Sequence, residues 1–115
     1  MKLKKRPSIR EKRRYIFFKV HSEMGIDYEN IKNAVWDSLS EWMGTNDLSK
    51  ANVKFVKNLW NRKKQFGVIS VSHRLVDHVK VGLGLVHQIG DSRVLFQTLL
   101  VSGTIKSGMK KLGRV

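Results

Sequence analysis

A chain of 115 residues that is 41% apolar and carries ten aromatics has material for one hydrophobic core but not for two, and is too apolar to be disordered. No apolar run approaches the roughly 20 residues of a membrane span, the basic start leads into further charge rather than a secretory h-region, and the lack of cysteine removes disulfides and thiolate metal sites. The expectation is a soluble, cytoplasmic single domain with no membrane role, whose net charge of +14 calls for a phosphate-rich partner.

That charge is unevenly spread. Residues 1–14 hold eight basic residues against one acid, Glu11, and residues 102–115 hold four basic residues and no acid. The 87 residues between are almost balanced, with 11 basic and 8 acidic groups. Phosphate neutralisation accounts for two basic ends on a near-neutral body; a solvated tail kept for solubility is the plainer alternative.

Residues 1–13 read as a flexible basic arm preceding a single domain, 14–115. Arg10, Lys12 and Arg13 in the arm and Arg14 at the start of the domain are candidate phosphate contacts. Arg14 to Val20 then forms a first strand, with Ile16, Phe18 and Val20 on one face and Tyr15, Phe17 and Lys19 on the other. With both faces largely apolar, the strand belongs at the centre of its sheet. Tyr15 and Phe17 are candidates for stacking on bases; packing under another element is the commoner fate of such rings.

Asp27 to Met43 is a helix: Ile31, Ala34, Val35, Leu39, Trp42 and Met43 share one stripe, Asp27 suits the N-cap, and Gly44 ends it. Trp36 sits beside the stripe. Ala51 to Trp60 alternates as a second strand and Phe66 to His73 as a third, joined by Asn61–Gln65 into an antiparallel hairpin. Arg62, Lys63 and Lys64 in the loop either touch phosphates or keep the tip soluble. Leu75 to Ile89 reads as a second helix through Leu75, Val79, Leu83 and Val86, with Gly82 and Gly84 allowing close approach to the sheet. Gly82-Leu-Gly84 is no dinucleotide fingerprint, since His87 stands where the third glycine belongs.

Ser92 to Val101 is the last strand, and Ser102-Gly-Thr-Ile-Lys106 follows as a small polar corner opening a short basic helix. Ser102, Gly103 and Thr104 with Lys106, Lys110 and Lys111 make either a helix cap alone or a phosphate cradle. Arg74 and Arg93 are further basic candidates. Strand, helix, strand, strand, helix, strand is the order of an α+β, ferredoxin-like or RNA-recognition-like βαββαβ sandwich.

Protein-based catalysis finds no support. His21, His73, His78 and His87 have no metal-ligand spacing, no paired carboxylates stand out, and no Gly-x-Ser-x-Gly elbow occurs. No catalytic or metal residue is expected.

Several stretches resemble a known family. Arg10-Glu-Lys-Arg-Arg-Tyr-Ile-Phe-Phe-Lys-Val20, Val35-Trp36 with Leu39, Gly67-Val-Ile69, His73-Arg-Leu-Val-Asp-His-Val79 and above all Val101-Ser-Gly-Thr-Ile-Lys106 are similar to archaeal ribonuclease P protein component 2. Gly82 and Gly84 stand where that family often has alanine, and Ser70 where it often has arginine. The resemblance implies a ferredoxin-like RNA-binding subunit of the ribonucleoprotein endoribonuclease that removes 5′ leaders from precursor tRNA. It implies cleavage by the ribonuclease P RNA with Mg2+ on that RNA, no cofactor on the protein, and pairing with ribonuclease P protein component 3. Self-association is left open. A ribosomal-type RNA-binding protein without a role in cleavage fits the same charge pattern.

Overall fold

A computed structural model describes residues 12–113. The expected arm, with Arg10, lies outside the described residues except for Lys12 and Arg13.

Strand β1, Arg13–Ser22, is the axis of the fold. Ile16, Phe18 and Val20 enter the main core, while Phe17 is buried on the opposite face. A strand covered on both faces has to be central. β1 runs antiparallel between β3, Phe66–Ser72, and β5, Ser92–Ser102. Short edge strands β2, Lys54–Phe55, and β4, Gln88–Ile89, complete the order β2-β3-β1-β5-β4, with every pairing antiparallel. Helices α1, Tyr28–Ala51, and α2, Val76–Gly84, close the core through Ile31, Val35, Leu39, Val79 and Leu83. Helix α3, Ile105–Leu112, lies over Phe17 on the other face. The architecture is a mixed α/β one, with a five-stranded antiparallel sheet and three helices.

Three boundaries differ from the sequence expectation, each for a local reason. Gly44 breaks the first helix with φ 78°, as expected, but helical structure resumes and runs to Ala51, where Asn52 takes the left-handed cap position. That consumes the start of the expected second strand. A 3-10 turn at Lys57–Leu59 removes its end, because Phe55 and Trp60 both pack on the Tyr28 ring. Only Lys54–Phe55 remains as strand, and the antiparallel hairpin with β3 survives. The second helix begins with a 3-10 turn at His73–Leu75 and stops at Gly84, so Gln88–Ile89 is strand.

Two packing expectations are also corrected. A Cβ on Gly82 would stand 2.4 Å from Leu39 Cδ2, so this glycine brings α2 against α1 rather than against the sheet, while Gly84 has open space around it. Ser38 Oγ donates to the Gly82 carbonyl at 2.7 Å across the same contact. Trp42, expected in the core stripe, is 46% exposed; its indole Nε1 donates to the His78 carbonyl at 3.0 Å.

Candidate nucleic-acid interface

Antiparallel pairing sets the start of β1 beside the end of β5: Tyr15 lies opposite Ser102 and Ile16 opposite Val101. On the other side Arg13 lies opposite Ser72, and His73-Arg74 follows directly. One end of the sheet therefore collects Lys12, Arg13, Arg14, Arg74, the Ser102–Thr104 corner and Lys106. Lys12–Arg14, the described part of the first basic stretch, is thereby brought beside the start of the second, remote from it in sequence.

The corner caps α3. Thr104 is extended, and its Oγ1 accepts from the Ser107 N–H at 3.1 Å. Ser102 is buried, and its Oγ accepts from the Thr104 N–H at 3.3 Å. Of the orphan donors of the first turn, this leaves the N–H groups of Ile105 and Lys106 for an outside acceptor. The free donors thus lie just past Ser102–Thr104, the residues expected to form the cradle, because helix phase decides which N–H stays free. Arg14 borders the corner, since a Cβ on Gly103 would stand 3.8 Å from its Nη1. Lys106, Lys110 and Lys111 are exposed on α3, whose opposite side lays Gly108 on the Phe17 ring.

The remaining candidates divide. Arg13 is committed inward: its Nε donates to Ser70 Oγ at 2.6 Å and its Nη2 to the Asn52 carbonyl. The carbonyl of Lys12 accepts from the His73 N–H at 2.9 Å, which fixes the last residues before β1. Phe17 is fully buried under α3, so its ring is not open to a base; Tyr15, between Ser70 and Ser102, is half-buried. Arg62, Lys63, Lys64 and Arg93 gather at the opposite end of the sheet, where Val20 N–H donates to the Gln65 carbonyl and Gln88 pairs with Arg93. Six residues of strand put that end roughly 20 Å away. Arg62 there forms an ion pair with Asp27, the only one among the described residues.

Two features were not foreseen. The buried Gln65 amide accepts from the Ile26 N–H at 3.0 Å and donates to the carbonyls of Ile26 and Arg62, tying the hairpin to the loop before α1. A groove of about 720 Å³ runs between α1 and the β4 turn, lined by Asp37, Glu41, Trp42 and Leu85. Leu85 is half-exposed in it, and Val81, one turn earlier, is exposed as well. Their spacing of four, off the buried stripe of α2, was the available signal.

Comparison with known proteins gives a consistent answer. The model of the Rpp14/Pop5 family matches residues 14–113. The chain is 35% identical over 105 residues to ribonuclease P protein component 2 of Thermococcus kodakarensis, covering 91% of this chain and 86% of that protein. It is 32% identical over 108 residues to the protein of the same name from Methanocaldococcus jannaschii, covering 93% and 78%. The fold is similar to a chain in the cryo-EM structure of yeast ribonuclease MRP, with a TM-score of 0.61 and 12% identity over 90% of this chain and 93% of that one.

Proposed function

We propose, from the premise that this chain belongs to the Rpp14/Pop5 family, that it is a protein subunit of ribonuclease P and supports removal of 5′ leaders from precursor tRNA. The family match across residues 14–113, with relatives named ribonuclease P protein component 2 at a third identity over nine-tenths of the chain, carries this reading. The chain is thus part of an endoribonuclease. In our reading the RNA cleaves and holds the Mg2+, in the cytoplasm, and the protein supplies positive charge and a rigid docking surface. The order β2-β3-β1-β5 with α1 and α2 on one face supports the ferredoxin-like, RNA-recognition-like assignment, β4 being an added edge.

The corner is the phosphate site of this reading. The N–H groups of Ile105 and Lys106 and the α3 dipole meet one phosphate, and Arg14, Lys106, Lys110 and Lys111 supply the surrounding charge. Such contacts position the domain on folded RNA and read shape rather than sequence. Bound there, the cations screen repulsion between RNA segments that the metal-binding fold must bring together. Ribonuclease P protein component 3 docks elsewhere, on the groove of Trp42 and Leu85. The acids Asp37 and Glu41 that line that groove disfavour RNA and suit a partner protein.

Reconstitution tests the reading: this chain and protein component 3 are added to ribonuclease P RNA, and leader removal is measured at low Mg2+. Stimulated cleavage is expected. RNA binding without stimulation would favour the ribosomal-type alternative, and cleavage without RNA would overturn the assignment of catalysis to the RNA.

A further inference from the structure

Trp36 has no role in the core or in the interface described above. It projects from α1 beside the buried Ile31, Val35, Leu39 stripe and is 43% exposed. One turn earlier, Lys32 holds its ammonium 6.0 Å from the centroid of the Phe55 ring, across the edge of the sheet. Between them opens a cavity of about 490 Å³ that Trp36, Phe55, Tyr28, Lys32, Lys54 and Lys57 line. In its wall three lysines stand against a single carboxylate, Glu29, beside three aromatic rings. Tyr28 Oη is closed off from solvent and finds no hydrogen-bond partner among the described residues. Burial, and then the neighbouring Glu29 carboxylate, push the Tyr28 hydroxyl above its ordinary pKa.

We infer that this cavity at the β2 edge takes an unpaired nucleotide of RNA, with its base stacked on Trp36 and its phosphates among Lys32, Lys54 and Lys57. Three properties select that occupant. An indole half in solvent is a stacking platform for any base. Lysines around it match a phosphate backbone and oppose a basic protein surface. The cavity is large enough for one nucleotide and lies beside a two-residue edge strand, where the sheet leaves a single strand room to pass. A duplex presents no unstacked base and would leave the indole unused. The site is separate from the α3 corner, so one protein contacts RNA by charge and shape at the corner and by stacking at the β2 edge. This inference rests on the ribonuclease P reading only in taking RNA as the partner.

The test uses the full chain and two fluorescein-labelled probes, a short oligoadenylate and an RNA duplex of equal length, with binding followed by anisotropy. Trp36→Ala is expected to weaken oligoadenylate binding about tenfold and duplex binding little. Trp36→Phe, which keeps a stacking face, should retain most of the affinity. Lys32→Ala, Lys54→Ala and Lys57→Ala together should lower the salt slope for oligoadenylate by about 2. Unchanged oligoadenylate binding by Trp36→Ala would overturn the inference, as would equal losses on both probes. Intact RNA binding with lost pairing to the second protein would also overturn it, and would make the cavity a protein-docking surface. The reconstitution assay reports separately on the ribonuclease P reading: stimulation that survives Trp36→Ala, alongside unchanged oligoadenylate binding, sinks the cavity alone.

Discussion

The two ends of the sheet carry comparable numbers of cations and use them differently. At the α3 end, β1 has no acid and neither has any residue from Ser92 onward, so Arg14, Lys106, Lys110 and Lys111 add to one another. At the Gln65 end, Arg62 is bound to Asp27, and the loop is held by backbone and amide hydrogen bonds around Gln65. The first end gathers charge that points outward; the second spends part of its charge on closing the fold. A basic run in sequence therefore says little about the field it makes until the acids it meets are known. Arg13 makes the same point inside the first end: it lies in the most basic stretch of the chain, yet its guanidinium is committed to Ser70 and Asn52.

The largest expected effect breaks the first end mechanically. α3 rests on the sheet through Gly108, where a Cβ would stand 2.2 Å from the Phe17 ring. Phe17→Ala removes the support beneath α3 and should cost about 3–5 kcal/mol in a thermal or denaturant melt. Gly108→Val keeps the ring but leaves no room for the helix, with an expected loss of about 1–3 kcal/mol. Both should also weaken RNA binding, since the lysines of α3 are then no longer held beside Arg14. Full RNA affinity in either variant would mean that the lysines act without the corner's geometry.

Next in size is the charge itself. Lys106→Ala, Lys110→Ala and Lys111→Ala combined should reduce the slope of log affinity against log salt by about 2–3, with the fold intact. The same triple change at Arg62, Lys63 and Lys64 should reduce it by less, because Arg62 already has a carboxylate. Equal losses would erase the contrast between the two ends. Smaller again is the cap: Thr104→Ala removes the acceptor for the Ser107 N–H and should cost about 1 kcal/mol, whereas Thr104→Ser should restore it.

Much of this was legible in the sequence, and the pattern of misses is physical. Alternation in Arg14–Val20 identified the central strand, because a strand buried on both faces has to be apolar on both. The Ser102–Thr104 corner was legible as a cap because small polar side chains before a helix have few other uses. The second strand is shorter than its alternation predicts because Val53 packs on the core and Trp60 on the Tyr28 ring, which leaves only Lys54–Phe55 in the ladder, and alternation does not distinguish those fates. The stripe position of Trp42 agrees with burial, but its indole lies along α2, where it donates to the His78 carbonyl, and it stays 46% exposed. The meeting of Lys12–Arg14 with the Ser102–Lys106 corner is beyond sequence periodicity; it follows from the antiparallel register of β1 with β5.

The finest test of the contrast is Asp27. It precedes α1 as the N-cap residue, yet its side chain makes no capping hydrogen bond and instead holds Arg62. Both side chains are more than half exposed, and exposed pairs of this kind contribute at most about 1 kcal/mol. Asp27→Asn should therefore lower stability only slightly, including the small loss of a negative charge near the helix N-terminus. Its effect on RNA should have the opposite sign. With Arg62 released and one negative charge removed, the Gln65 end gains an unpaired cation beside Lys63 and Lys64, and the salt slope should rise by about 1. An unchanged slope would show that this end of the sheet stays away from RNA whatever its charge. The difference between the two ends would then be one of placement on the RNA rather than of an internal ion pair.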